Sequence, residues 1–215
     1  MQVRILGCLI EKERTTPDNY PLTMNGLLSA CNQTTNRYPV VTFTEATVSN
    51  AILNLRSEDL LRIDYSRSNR ADKYRQVLDE ALEADDAEIS LLAVLMLRGP
   101  QTAGELRLNC ERLQRFADIS SVEGFLHELA EWPAGALVTE LPRQPGSREN
   151  RWAHLLSGTP AIAAFTADAL PTGTNNKADG DAMAALRDRV GQLENDVAAL
   201  KENLARLRAD GASSD

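Results

Sequence analysis

The sequence predicts a mainly α-helical fold with small β-hairpins (α+β), built from two tandem winged-helix units followed by a C-terminal coiled-coil helix. Two observations predict this architecture. A pattern of three apolar helical segments followed by two β-patterned segments occurs twice along the chain. A heptad of apolar residues then occurs near the C-terminus, after a linker rich in Pro, Gly and Asn.

The two units are predicted to span residues 1–80 and 81–158. In the first unit we expect helices within residues 3–10, 22–31 and 48–55, and strands within residues 60–65 and 73–78. In the second unit we expect helices within residues 89–97, 103–110 and 122–129, and strands within residues 136–141 and 151–156. Three helices followed by a two-stranded hairpin are the elements of a winged helix.

The repeat is clearest at the third helix of each unit. Thr47-Val48, Ile52 and Leu55 in the first unit correspond to Ser121-Val122, Leu126 and Leu129 in the second. Two helix starts also carry the pattern of a capping box, in which a hydroxyl and a carboxylate three residues apart bond each other's backbone N–H. The pattern occurs at Thr102 with Glu105 and at Ser120 with Glu123, which predicts an N-cap at both hydroxyl residues.

The segment from Leu6 to Val40, LGCLIEKERTTPDNYPLTMNGLLSACNQTTNRYPV, resembles the YceH-like family of uncharacterised bacterial proteins. The most specific marks are Leu9-Ile10-Glu11-Lys12, Thr15-Thr16-Pro17-Asp18 and Cys31-Asn32-Gln33. The similarity covers about residues 3 to 158 and also the tail. The resemblance implies two winged-helix units and a C-terminal coiled coil, and it implies almost no biochemistry.

The tail is predicted to form a dimerisation helix over residues 182–209, between a linker at residues 159–181 and a disordered end at residues 210–215. Branched residues at a positions and Leu at d positions favour a parallel two-stranded coiled coil, and hence a homodimer. A single amphipathic helix lying on the rest of the protein is the alternative. The residues expected in the dimer interface are Met183, Leu186, Val190, Leu193, Val197, Leu200, Leu204 and Leu207.

Charge separates the two units. The whole chain has a net charge of -8, but residues 1–77 carry 10 Lys+Arg against 8 Asp+Glu, whereas residues 78–158 carry 7 against 14. Phosphate contacts supply most of the nonspecific affinity for nucleic acid, so only the first unit is expected to face double-stranded DNA. The acidic second unit is better suited to a protein partner. The candidate DNA-contacting residues are Arg37, Asn50, Asn54, Arg56, Arg67, Arg70 and Lys73.

The outward face of the third helix tests the DNA hypothesis, because this helix enters the major groove in helix-turn-helix proteins. Helical periodicity places Ala46, Asn50, Leu53, Asn54 and Ser57 on that face. Asn50 and Asn54 could each bind adenine bidentately, whereas no Arg is placed to bind guanine. Arg56 lies at the edge of the face and could reach a phosphate.

Two polar segments of the first unit have alternative interpretations. The basic loop between the predicted strands, with Arg67, Arg70 and Lys73, is either a DNA-contacting wing or a solvated hairpin tip. The run at residues 32–37 either contacts the phosphate backbone or caps helix ends, and we expect capping because Asn and Thr in turns ordinarily bond their own backbone. In the second unit, Glu128 and Glu131 on the third helix would repel phosphate.

No motif in the sequence indicates an enzyme, a cofactor or a metal site. The three cysteines form no CxxC pair and are expected to be buried, and the two histidines lack metal-ligand spacing. An enzyme that uses Asp18, Asn19 and Tyr20 is a third hypothesis, but we expect this polar trio to shape a turn between two prolines. The longest apolar runs are too short to cross a bilayer, and no signal-peptide cleavage site is present, so we expect a cytoplasmic protein.

These observations favour a dimeric DNA-binding protein, with a transcriptional regulator as one form of that role. The alternative is a protein–protein interaction scaffold, similar in architecture to chromosome-condensation adaptors. The positive balance of residues 1–77 favours DNA, and the uncharged outward face of the third helix favours protein.

Overall fold

The computed structural model describes residues 1–65, 71–144 and 146–158, all of which belong to one compact unit. The order of elements repeats three helices and an antiparallel strand pair, as the sequence predicts, with a short helix between the two sets. The elements are α1 (Gln2–Thr15), a 3-10 turn (Pro17–Asn19), β1 (Leu22–Thr23), α2 (Met24–Cys31), α3 (Glu45–Ser57), β2 (Leu61–Asp64), β3 (Lys73–Gln76), α4 (Leu78–Leu82), α5 (Asp86–Arg98), α6 (Ala103–Cys110), α7 (Ile119–Ala130), β4 (Val138–Leu141) and β5 (Arg151–His154).

The first sheet contains one strand more than the sequence predicted. Its order is β1-β3-β2, with all pairs antiparallel, and Leu22 of β1 lies opposite Tyr74 of β3. The expectation that Leu22 belongs to the second helix is therefore wrong. Its backbone pairs with β3, and the hydroxyl of the next residue, Thr23, accepts a hydrogen bond from Gly26 N and starts α2.

The predicted strand at residues 73–78 ends two residues early. The side chain of Gln76 reaches forward along the chain, and its Oε1 accepts a hydrogen bond from the backbone N–H of Leu78 at 2.7 Å. Leu78 then begins the short helix α4, which the sequence analysis missed. The second sheet is the predicted β4–β5 pair, in which Glu140 lies opposite Trp152.

The predicted N-caps give one confirmed and one corrected result. Thr102 and Glu105 form the expected capping box at the start of α6. The start of α7 differs, because Asp118 is the N-cap and its carboxylate accepts from both the backbone N–H and the hydroxyl of Ser121 at 2.7 Å. An ionised carboxylate is a stronger acceptor than a hydroxyl, so the helix begins before Ser120 and takes that residue into its first turn.

Both sets of helices contribute to one hydrophobic core. Every residue from Ala87 to Leu97 of α5 is buried, so this helix is covered on all sides, and α1 packs along it. The two helices approach closely at Gly7, where a Cβ would lie 2.9 Å from Leu97 Cγ. Glycine allows this contact because it has no side chain.

The structure confirms the predicted fold class, since it combines helices with small antiparallel strand pairs. The three cysteines, Cys8, Cys31 and Cys110, are free and buried, as expected. None of the helices within the described ranges is long and apolar enough to span a membrane. The linker, the coiled-coil positions from Met183 to Leu207 and the basic residues Arg67 and Arg70 lie outside the described residues.

Candidate nucleic-acid interface

Helix α3 is the element that would read DNA, and its sequence explains where it begins and which face it buries. The hydroxyl of Thr44 accepts from Thr47 N at 3.3 Å and caps the first turn. Val48, Ile52 and Leu55 recur at helical spacing and are buried in the core. The opposite face is therefore turned to solvent and held in a fixed orientation.

That outward face has the composition that the sequence predicts. Asn50, Asn54 and Ser57 are exposed, and Leu53 between them keeps 60% of its surface accessible. Arg56 is also exposed at the edge of this face. The helix thus presents two amides around one apolar side chain, and such a surface can hydrogen-bond a base edge and cover a methyl group.

The β2–β3 strand pair lies next to α3, and its described residues carry little net positive charge. Arg62 and Arg75 are opposite one another in register, and both form ion pairs with one carboxylate, that of Glu80, at 3.0 and 3.1 Å. Lys73 lies opposite Asp64, two residues away from that arginine pair in the same two strands. The positive charge expected of this wing therefore comes from residues 67 and 70, which the structure does not describe.

An exposed aromatic residue at the end of β2 was missed by the sequence analysis. Tyr65 follows Asp64 and leaves 60% of its surface accessible. Alternation along the strand would place it on the same face as the buried Leu61 and the half-buried Ile63, but Tyr65 lies past the end of β2 and stays exposed. The signal in the sequence was the position of a large aromatic residue immediately before the basic loop.

Arg37 is buried, and the structure corrects its place among the DNA-contacting residues. Its side chain is completely inaccessible and binds the Glu11 carboxylate through two nitrogens, with Nη1 to Oε1 at 3.1 Å. It also donates to the backbone carbonyls of Ala30 and Asn36 at 3.1 and 2.9 Å. Burial acts to lower the pKa of Arg37, but the hydrogen bonds and charges of Glu11 and Cys8 together outweigh it and raise that pKa. A phosphate has no access to this guanidinium.

The rest of the polar run at residues 32–37 makes the local contacts that the capping interpretation expects. Asn32 ends α2, and its side chain accepts from Phe43 N at 2.7 Å and donates to Phe43 O at 2.9 Å. Gln33 donates to the carbonyl and hydroxyl oxygens of Thr35. The bonds between Asn32 and Phe43 hold together the two ends of the connection between α2 and α3.

The polar trio at residues 18–20 forms part of a turn and attaches that turn to the first sheet. Asp18 and Asn19 belong to the 3-10 turn, and the Tyr20 hydroxyl accepts a hydrogen bond from Gln76 N at 2.8 Å. Burial is the main reason that the pKa of Tyr20 is raised. The tyrosine therefore links this turn to β3.

The corresponding helix of the second set, α7, presents an acidic face. Glu123, His127, Glu128 and Glu131 are exposed, and the His127 ring forms an edge contact with Trp152 at a centroid distance of 5.2 Å. In the strand pair beside it, the guanidinium of Arg151 binds both Glu105 oxygens at 2.8 and 3.0 Å. This arginine is thus already neutralised, and the surface suits a phosphate backbone poorly.

Comparison with known proteins places the chain in a family. A family model described as "Protein of unknown function, DUF480" matches residues 1–147. A UPF0502 protein of Dechloromonas aromatica is 53% identical over 202 residues, which cover 94% of this chain and 91% of the relative. A UPF0502 protein of an Acidovorax species is 49% identical, with 96% and 90% covered. The expected resemblance to an uncharacterised bacterial family is confirmed, and the chain belongs to this DUF480/UPF0502 family.

Proposed function

We propose that this protein binds double-stranded DNA through α3 and the adjacent β2–β3 strand pair. The observation that carries the proposal is the outward face of α3, where Asn50, Leu53 and Asn54 are exposed while the opposite face is buried. A helix held by its buried face can enter the major groove as a rigid element. Its side chains then meet base edges without a further cost of ordering the backbone.

The same face supports a preference for A·T base pairs. Asn binds the N6 and N7 atoms of adenine bidentately, and an apolar side chain packs against the thymine methyl group. Asn50 and Asn54 would supply the first contact, and Leu53 the second. The absence of Arg and Lys from the described outward face of α3 removes the usual contact to guanine.

Phosphate contacts would come from residues around this face. Arg56 is exposed beside it, and Arg62 and Arg75 share one carboxylate, which leaves one positive charge on that strand pair. Arg67 and Arg70 in the connecting segment add two further charges in the sequence. These four positive charges around one helix face would be enough for salt-dependent binding.

In this proposal the protein is a cytoplasmic, non-enzymatic homodimer, and its coiled coil sets the distance between two DNA half-sites. The apolar heptad from Met183 to Leu207 supports the dimer. Replacing Val190 and Leu200 with Asp would place unpaired charges in the seam, and sedimentation should then show monomers. A double variant that still sediments as a dimer would contradict the coiled-coil assignment.

The DNA proposal is tested by fluorescence anisotropy with labelled A·T-rich and G·C-rich duplexes over a salt series. We expect binding to weaken with salt at a slope of about -0.9 per phosphate contact in a plot of log K against log salt. Asn50→Ala with Asn54→Ala should reduce the preference for A·T by about ten-fold or more, since each bidentate pair contributes about 1–3 kcal/mol of discrimination.

A matched pair of charge reversals separates a local contact from a general electrostatic effect. Arg56→Glu and Arg115→Glu change the net charge equally, and both side chains are exposed, but Arg115 follows α6 in the acidic half of the chain. Arg56→Glu should weaken binding much more than Arg115→Glu. Equal losses in the two variants, or no binding of the wild type at low salt, would contradict the proposal.

A protein-interaction scaffold is the second candidate, and a specific observation favours it. Leu108 of α6 and Ile119 of α7 keep 68% and 47% of their surfaces accessible, and α7 also carries the exposed Glu123 and Glu128. Exposed apolar side chains on a unit of net negative charge suit a surface that binds a basic protein partner. Failure of DNA binding together with co-purification of a partner that Leu108→Asp abolishes would support this alternative.

A further inference from the structure

A cavity of about 110 Å³ lies where the end of α1, the segment after α2, and the ends of α5 and α6 meet. It is separate from the outward face of α3. Its lining includes Lys12, Asn36, Arg98, Asn109 and Arg112, and none of these residues is among the candidate DNA-contacting residues named above. The lining also contains Val94, Leu97 and Leu113, but its polar side chains are numerous enough to hold water or an ion.

The charges around this cavity do not cancel. Lys12, Arg98 and Arg112 are in its lining, and Glu11 is the one carboxylate there. That carboxylate is already engaged by the buried guanidinium of Arg37, and Lys12 Nζ lies 3.8 Å from it. The lining therefore has an excess of positive charge that no acidic side chain of the cavity balances.

Arg98 is the best positioned of these cations. Its Nη2 donates to Asn36 Oδ1 at 2.6 Å, and Asn36 adopts a left-handed backbone conformation with φ of 58°. Burial lowers the pKa of Arg98, because its charge is partly desolvated, although Glu11 nearby opposes this effect. Within the described ranges Arg98 forms no ion pair. It is held in place by a neutral amide, and its remaining N–H groups are available to an acceptor.

Arg112 supplies a second guanidinium at the same cavity. It is exposed, and it makes no ion pair or hydrogen bond to any residue that the structure describes. The neighbouring hydroxyls are already committed as donors, since Thr15 and Thr16 bond the backbone carbonyls of residues 11 and 12. Recognition of a ligand here would thus depend on the two guanidinium groups and on Lys12.

We infer that this cavity binds the phosphate group of a small ligand through Arg98, Arg112 and Lys12. Guanidinium groups match the oxygens of a phosphate in geometry as well as charge. The volume equals that of about three or four water molecules, which suits one phosphate group but excludes a nucleotide from lying fully inside. Inorganic phosphate and a small phosphate monoester share this chemistry, whereas a dicarboxylate such as malonate lacks the phosphate geometry.

The experiment is isothermal titration of full-length protein with inorganic phosphate, with glycerol phosphate and with malonate, at constant ionic strength. We expect one phosphate site per chain and weaker binding of malonate. Arg112→Gln should weaken phosphate binding by about ten-fold or more, as expected when a charge-assisted hydrogen bond is lost. Arg115→Gln is the matched control, because it removes the same charge from an exposed arginine outside the cavity.

Two results would overturn the inference. One is the absence of saturable phosphate binding by the wild type, and the other is an equal effect of Arg112→Gln and Arg115→Gln. In the second case the role of the cations would be only to stabilise the C-terminal ends of α1, α5 and α6, where positive side chains interact favourably with the helix dipole. Arg98→Gln, with its fold checked by circular dichroism, gives an independent measurement. No DNA is used, so failure here and failure of DNA binding are distinguishable.

Discussion

Arg37 is the residue whose role changes most between sequence and structure. In the sequence it follows five polar residues, as a surface cation often does. In the structure its side chain is buried within the segment between α2 and α3 and is paired with Glu11. The pair joins α1 to that segment, 26 positions apart in the chain. A buried ion pair contributes little net stability relative to an apolar pair, but removal of one partner leaves the other charge uncompensated.

We therefore predict that Arg37→Met lowers the free energy of unfolding by about 3–5 kcal/mol, measured by urea denaturation. The variant leaves the half-buried Glu11 carboxylate without its partner and removes the donors to two carbonyls. Adding Glu11→Gln should restore part of the loss. A loss below about 1 kcal/mol for Arg37→Met is typical of an exposed ion pair and would contradict the burial of Arg37.

His154 gives the protein a pH-dependent stability. Its Nδ1 is buried and has no hydrogen-bond partner among the described residues, and burial lowers the pKa of the ring. A proton is then bound more tightly by the unfolded chain than by the folded one. The contribution of His154 to stability is thus fully present above the unfolded pKa of about 6.5 and is lost as the pH falls through the folded pKa.

The expected result is a free energy of unfolding that falls between about pH 7 and pH 5, and a smaller fall in His154→Gln, which has no titrating ring. The difference between the two proteins separates the effect of this histidine from that of carboxylates such as Glu13. Burial raises the pKa of Glu13, so its protonation increases the free energy of unfolding as the pH falls. Parallel pH profiles for the two proteins would show that His154 does not contribute.

At the scale of elements, helix periodicity was a reliable predictor and helix starts were less so. The exposed and buried faces of α3 follow directly from the spacing of Val48, Ile52 and Leu55. The predicted start of α7 was wrong because two possible capping residues, Asp118 and Ser120, lie close together there. Either residue fits the sequence pattern of an N-cap, and the position of the first helical turn decides which one caps the helix.

The capping assignments can be checked with three alanine variants. Thr102→Ala removes half of a capping box and should lower the free energy of unfolding by about 1 kcal/mol. Asp118→Ala should lower the melting temperature clearly, and Ser120→Ala should hardly change it, because Ser120 makes no capping bond in α7. A larger effect of Ser120→Ala than of Asp118→Ala would mean that α7 begins where the sequence pattern predicted.

At the scale of the whole molecule, the packing of α1 against α5 joins the two sets of helices. Helix α5 would serve as the first helix of the second unit, and α1 is the first helix of the first unit, so the repeat places equivalent elements in contact. The division at residues 80 and 81 stays a prediction. The shared core means that the described residues of both sets contribute to one another's stability.

Two glycines make this packing testable. A methyl group at Gly7 would lie 2.9 Å from Leu97 Cγ and 3.3 Å from Met96 Cβ, whereas one at Gly124 of α7 meets nothing within 4 Å. Gly7→Ala should therefore lower the melting temperature despite the better helix propensity of Ala, because overpacking a core typically costs about 1–3 kcal/mol. Gly124→Ala should raise it. Stabilisation by both substitutions would contradict the close contact of α1 with α5.

The sequence by itself determined the repeat of three helices and a strand pair, the buried face of each main helix, the burial of the cysteines and membership of an uncharacterised family. These features depend on residues close together in the chain, so periodicity and composition report them. Tertiary structure alone decided the burial of Arg37, the pairing of Leu22 with Tyr74 and the cationic cavity around Arg98. Each of these depends on segments that are distant in sequence, and a side chain's partner across such a distance is set by packing and not by local pattern.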